Sequence, residues 1–231
     1  MRILFVRHGN PNYKDDCLTE LGHLQAAAVA KRLVGEGIEQ IYTSTCGRAS
    51  ETAEYTSREL GLPAIPLDFM REISGRSIDG TELYAKGNPW EIARWLVSKN
   101  ESIIHRDWAE REPFCHGRLK ETVVDRVIKG FDPWLAQFGY VREGEHYRVI
   151  GEDTAHTVAV FSHGGSSTAV LCHLFNLPFI QGCAMFRIDQ TSVTEVVLPD
   201  RPGELITPEL WLLNDMAHAK DIEVDHTYGG L

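Results

Sequence analysis

Ile3-Leu4-Phe5-Val6 runs without a break into Arg7-His8-Gly9, and the reading of that junction decides the fold. Four apolar residues inside the first six fit a buried parallel strand. A histidine between a cation and a glycine then stands at the strand's end, where open α/β sheets place their chemistry. Gly9 allows a sharp turn and a close approach of the backbone to whatever His8 faces. Taken alone, the triplet reads more readily as a hydrogen-bonded structural histidine, so the choice rests with the rest of the chain.

Working outward, Thr19 can cap a helix in which Leu21, Leu24 and Ala28 share one face, and Gly35 and Gly37 end it. Ile38 to Ser44 reads as a second strand, and Cys46 to Leu60, closed by Gly61 and Pro63, as a second helix. This alternation predicts a parallel sheet with helices on its faces. After an extended piece around Ile65 to Phe69, the region from Gly75 to Gly117 loses regularity and carries Trp90, Trp95 and Trp108 among scattered charges. It reads as an inserted subdomain, with two of the three tryptophans in its core and Lys86, Arg106 and Arg111 as candidates for a lid. Leu119, Val123, Val127, Phe131, Leu135 and Phe138 recur at helical spacing, with a kink or break expected at Gly130 and Pro133. Thr157 to Phe161 returns to strand composition and ends at Ser162-His163-Gly164-Gly165, followed by a helix from Ser166 to Phe175. Cys183 to Ile188 and Ser192 to Leu198 read as the last strands.

The 231 residues suffice for one domain with an elaboration. Thirty-three acids against twenty-three Lys and Arg give a net charge of -10, which repels nucleic acid and anionic membranes, so a bound anion needs a local basic cluster. The five cysteines are scattered with no C-x-x-C pair, which argues against a disulfide framework or a cysteine-rich zinc site and for a reducing cytoplasm. The N-terminal apolar run is too short for a signal peptide, and no stretch approaches the ~18 apolar residues of a membrane span.

His163 repeats the arrangement of His8: an apolar strand, Val158-Ala159-Val160-Phe161, running into histidine and glycine. If the two strands are parallel neighbours, both imidazoles enter one crevice, and a glycine-flanked histidine pair suits a phosphate group. Arg7 supplies positive charge beside His8. Arg48, in Thr43-Ser44-Thr45-Cys46-Gly47-Arg48-Ala49, stands in the first turn of a helix, where it opposes the helix dipole. An arginine there is either an anion ligand, binding phosphate oxygens through its planar fork, or an exposed side chain paired with Glu51 or Glu54.

Four segments together resemble the histidine phosphatase superfamily, the phosphoglycerate mutase-like group of branch 1. They are the strand with Arg7-His8-Gly9, the helix start Leu18-Thr19-Glu20-Leu21-Gly22, the helix start Ser44 to Ala53 with Arg48, and Ser162-His163-Gly164-Gly165. The resemblance implies an α/β fold: a three-layer αβα sandwich with a mostly parallel central sheet and an inserted helical cap. Residues 1–231 would form one domain, with the cap or specificity insert at about 75–117. It also implies that His8 is the nucleophile, forming a phosphohistidine that water hydrolyses, with Arg7, Arg48 and His163 binding the phosphoryl oxygens. Gly164 belongs to the same phosphate-binding turn. Glu72, in Met70-Arg71-Glu72-Ile73, matches the carboxylic acid that protonates the leaving alkoxide, for which it would need a raised pKa. No metal or other cofactor is implied, and the expected partner is a small phosphorylated substrate.

The chain departs from the family where substrate is chosen. Ser74-Gly75-Arg76-Ser77-Ile78-Asp79-Gly80 replaces the usual aromatic-glycine and Trp-Glu-Gly continuation after Glu72, and Cys115-His116-Gly117-Arg118 replaces a Gly-Glu-Ser approach to the long helix. Asn10-Pro11-Asn12 follows Gly9, so Asn10 or Asn12 is either a phosphate or substrate ligand or a turn former. Asp215, His218, Asp221, Asp225 and His226 read as a solvated acidic tail rather than a metal site, with Leu213 to His218 resembling the closing segment of some members. No cysteine is followed six residues on by arginine, and neither a nucleotide-binding P-loop nor H-E-x-x-H is present. The expected activity is phosphomonoester hydrolysis of a small metabolite, the alternatives being a cofactor-dependent phosphoglycerate mutase and a non-catalytic phospholigand-binding module.

Overall fold

The computed structural model describes residues 1–76, 88–152 and 154–222. In chain order its strands are β1 (Arg2–Arg7), β2 (Pro11–Asn12), β3 (Cys17–Leu18), β4 (Gln40–Ser44), β5 (Ala64–Leu67), β6 (Tyr140–Glu143), β7 (His146–Val149), β8 (Thr157–Ser162), β9 (Val193–Val197), β10 (Leu205–Ile206) and β11 (Glu209–Asp215). The helices are α1 (Glu20–Leu33), α2 (Gly47–Leu60), α3 (Pro89–Ser98), α4 (Lys129–Ala136), α5 (Gly164–Leu174) and α6 (Phe179–Met185). A six-stranded sheet of order β11-β9-β1-β8-β4-β5 forms the centre. β1, β8, β4 and β5 run parallel, and β9 joins β1 antiparallel. This is the mostly parallel α/β sheet that the alternation predicts.

Strand periodicity divides the core into two layers. Leu4, Val6, Ile41, Ala159 and Phe161 pack with Val29 and Leu33 of α1 and Ala53 of α2. Ile3, Phe5, Tyr42, Val158 and Val160 face the other way, into a larger cluster with Phe131, Trp134, Ala169 and Val170. Every residue of β8 is buried, as expected of a central parallel strand covered on both sides.

Several elements differ from expectation for local reasons. The buried side of α1 is Gly22, Gln25, Ala26, Val29, Ala30 and Leu33, while Leu24 is exposed. Gly22 sets this rotation, because a Cβ there would collide with the backbone carbonyl of Asn10. Cys183 to Ile188 is not a strand. Residues Phe179–Met185 form α6, held close to α5 because Gly182 leaves room for the Cys172 sulfur. The kinked helix is a π-helical stretch, Lys120–Ile128, continuing into α4 with Pro133 inside it, and Gly130 there admits the Phe69 ring. A hairpin of β6 and β7, turning at Gly144 with φ +60°, joins β10 in a small second sheet that the sequence reading does not contain.

Of the insert, the described part holds α3 and short helical turns at Trp108–Glu110 and Phe114–His116. Trp90 and Trp108 are buried and Trp95 is exposed, as two in the core requires. Trp108 meets Phe114 and Phe179 with ring centroids 5.9 and 5.4 Å apart. Arg106 pairs with Glu145 and Arg111 with Asp107 at the surface, and Lys86 lies outside the described residues. No single described helix is long and apolar enough to cross a membrane.

Candidate active site

Strand register brings the site together. Arg7 of β1 pairs with Ser162 of β8, and the His8 amide continues the ladder to the Ser162 carbonyl at 2.9 Å. His8 and His163 therefore leave adjacent parallel strands at the same level, and their ring centroids are 5.1 Å apart. On the other side of β8, Thr43 pairs with Phe161, which sets Ser44 level with Ser162 and delivers Arg48 from the first turn of α2 to the same edge.

One side of the His8 ring is fixed by its own turn: Nδ1 donates to the Gly9 carbonyl at 2.7 Å. A carbonyl only accepts, so Nδ1 carries the hydrogen and Nε2 keeps a lone pair. Arg48 Nε donates to that lone pair at 3.2 Å. Burial, reinforced by Arg7 and then Arg48, holds the imidazole pKa well below its ordinary value, so His8 is neutral at neutral pH. His163 is fully buried and likewise held well below the ordinary range, by burial first and then by His8, Arg48 and Arg7.

Two guanidiniums stand over these rings. Arg7 is 9 % exposed, donates Nη1 to the Ile188 carbonyl at 2.7 Å, and has no carboxylate partner among the described residues. Its Nε is buried and unpartnered, as is His163 Nδ1. Buried charge and buried donors are costly without a partner, and an oxyanion would supply one. Arg48 is not exposed and paired with Glu51 or Glu54. Asp16 takes its Nη1 and also accepts from the Gly47 amide at 2.8 Å, while the Tyr13 ring centroid lies 5.4 Å from its guanidinium carbon. Asp16 and Tyr13 lie in the loop before α1, and only the doubled Asp15-Asp16 gave the sequence any signal of that clamp.

Glu72 reaches the cavity from the loop beyond β5. Its carboxylate accepts from the amides of Ile73 at 2.9 Å, Ser166 at 3.1 Å and Gly165 at 3.3 Å, the last two in the first turn of α5. Arg126 holds the loop by donating to the Arg71 and Glu72 carbonyls, each at 2.8 Å. Arg7, Arg48, Glu72 and Gly164 line one cavity, with Tyr13, Ile73, Gly75, Asn88, Pro89, Trp90, Thr168 and Ile188 completing its wall; the buried His8 and His163 are not part of that lining.

Asn10 does not line that cavity. Its Oδ1 accepts from Thr19 Oγ1 at 2.7 Å and its Nδ2 donates to Gln190, so it ties the turn after β1 to the cap of α1. The C-terminal segment packs behind the site: His218 Nε2 meets Thr191 Oγ1 at 3.2 Å, and the Thr191 amide donates to the Arg7 carbonyl. Asp215 pairs with Arg32, and Asp225 and His226 lie outside the described residues.

A family model for the histidine phosphatase superfamily (branch 1) matches residues 3–207. The chain belongs to that family. A provisionally named phosphoserine phosphatase 2 of Hydrogenobacter thermophilus is 21% identical over 230 residues, 96% of this chain and 98% of its own length. The 2,3-bisphosphoglycerate-dependent phosphoglycerate mutase of Brucella canis is 27% identical over 186 residues, covering 76% of this chain and 82% of the mutase. Among solved structures, a mycobacterial glucosyl-3-phosphoglycerate phosphatase superposes with a TM-score of 0.63 at 24% identity, over 92% of this chain and 98% of its own. This histidine phosphatase thus has the fold that its four motifs announced, and it is a phosphomonoester hydrolase.

Proposed function

We propose that the enzyme hydrolyses the phosphate monoester of a small metabolite through a phosphohistidine on His8. The observation that carries this is the unprotonated Nε2 of His8, 3.2 Å from Arg48 Nε, beside a cavity lined by two buried guanidiniums and, among the described lining residues, a single carboxyl group, Glu72. Nε2 attacks phosphorus as the ester P–O bond breaks, and Glu72 gives its proton to the departing oxygen. Arg7, Arg48, His163 and the Gly164 turn hold the three equatorial oxygens, whose charge a loose phosphoryl-transfer transition state requires to be balanced. Water then attacks the phosphohistidine, returning a proton to Glu72 and freeing His8 with inorganic phosphate.

The insert at about 75–117 acts as the specificity element. Gly75, Asn88, Pro89 and Trp90 belong to it and line the cavity, and with Ile73 and Ile188 they present an aromatic and aliphatic wall to the leaving alcohol. The five cysteines, free throughout, fit a cytoplasmic enzyme.

The test is phosphate release from p-nitrophenyl phosphate and from a panel of phosphorylated metabolites, without bisphosphoglycerate or added metal. Rapid quench with 32P-labelled substrate should trap acid-labile phosphate on wild-type enzyme and none on His8→Ala. Turnover that needs bisphosphoglycerate would point to a mutase, and undiminished turnover by His8→Ala would overturn the mechanism.

A further inference from the structure

We propose that Ser44 is a positioning residue that fixes the tautomer of His163, so that Nδ1 carries the ring hydrogen and offers it to the phosphoryl group. The inference rests on the phosphatase reading above and adds a residue to it.

Counting hydrogens leads there. Ser44 is fully buried, and its Oγ has two neighbours: the Cys46 amide, 3.2 Å away, and His163 Nε2, 2.8 Å away. The amide can only donate, so it occupies an Oγ lone pair and the hydroxyl hydrogen remains to be placed. His163 Nε2 is the one acceptor within reach of that Oγ among the described residues. If Nε2 carried its own hydrogen, the serine hydrogen would be buried without an acceptor, and a buried donor left unpaired loses its full hydration. The satisfied arrangement is Ser44 O–H donating to Nε2. A neutral ring then has its hydrogen on Nδ1, the atom that is buried and unpartnered.

The two histidines are thereby the same tautomer put to opposite uses. His8 spends its Nδ1 hydrogen on the Gly9 carbonyl and shows a lone pair, while His163 spends its lone pair on Ser44 and shows a hydrogen. An acceptor at the second position would repel a phosphoryl oxygen. The register that levels Ser44 with Ser162 makes the contact possible.

Imidazole 15N–1H correlation spectra of the 15N-histidine enzyme test this directly, with His163 assigned by loss of its signals in His163→Asn. We expect a protonated Nδ1 and an unprotonated Nε2 on His163 near pH 7, and a shift of the Nδ1–H signal on titration with inorganic phosphate. A protonated Nε2, or an Nδ1–H signal that phosphate leaves unmoved while His8 responds, would overturn the proposal without touching the phosphatase reading. Ser44→Ala should lower kcat about 10²-fold, the scale of one lost transition-state donor, with KM changed less and the Nε2–H tautomer appearing. Ser44→Thr, which keeps the hydroxyl, should restore most of the rate. Equal losses in Ala and Thr variants with wild-type tautomers would show packing alone. If Ser44→Ala fails to fold, the wild-type spectra still decide.

Discussion

The lone pair on His8 Nε2 exists because the Gly9 carbonyl takes the Nδ1 hydrogen at 2.7 Å, and it survives acidification because burial and two arginines resist a third positive charge. Protonation that removes the nucleophile is therefore displaced downward, and the acid limb of kcat/KM should fall below the ordinary imidazole range of about 6.5. A pH–rate profile of p-nitrophenyl phosphate hydrolysis checks this; an acid limb at or above that range would contradict it. The same shift affects stability. Between the depressed native pKa and about 6.5 the unfolded chain binds a proton that the native ring refuses, so the contribution is full above 6.5 and is lost as pH falls below it. Urea midpoints should drop between pH 7 and 5.5, and less steeply in His8→Gln. Arg48 is held by Asp16, so Asp16→Asn should loosen the guanidinium and raise KM for phosphate esters several-fold with a smaller change in folding midpoint. The sequence singled out both histidines and Arg48, because strand ends and helix starts have local signatures. It could not name Asp16 or Ser44 as their partners, since those contacts cross 32 and 119 residues of chain.

At the level of elements, the site depends on how closely α5 approaches the loop after β5. A Cβ on Gly165 would stand 2.5 Å from Glu72 Oε1 and closer still to Ile73. Gly165→Ala should therefore push the carboxyl out of the cavity, lowering kcat at least tenfold while the sheet and its circular dichroism persist; an unchanged kcat would show that Glu72 tolerates displacement. Gly22 and Gly182 have the same kind of role, at the α1 and α6 contacts. These glycines explain why the α1 face and Phe179–Met185 differ from the expectation. Periodicity reports which residues are apolar, whereas the rotation of α1 and the helical state of Phe179–Met185 follow from where another backbone or a sulfur comes close. Leu24 was legible as apolar and still ended exposed.

Across the whole molecule, α6 and the insert are joined through aromatic packing. Trp108 lies between Phe114 and Phe179, whereas Trp90 is buried and also lines the cavity. Trp108→Ala should cost about 3 kcal/mol in urea unfolding, the scale of a buried aromatic lost to a cavity, and Trp90→Ala should add a change in substrate preference to its loss of stability. A metabolite panel run on both variants separates the two, and identical preference profiles would remove Trp90 from specificity. By itself the sequence determined the alternation of strand and helix, the two histidines at strand ends and the arginines beside them, because burial on two faces and sharp turns leave local marks. Only the tertiary structure decided which neighbours complete them: Asp16 on Arg48, Ser44 on His163, Gly165 beneath Glu72, and Asn10 bonded to Thr19, the cap of α1. Those choices arise from strand register and close backbone approach, which couple residues far apart in the chain and so leave no periodic trace in it.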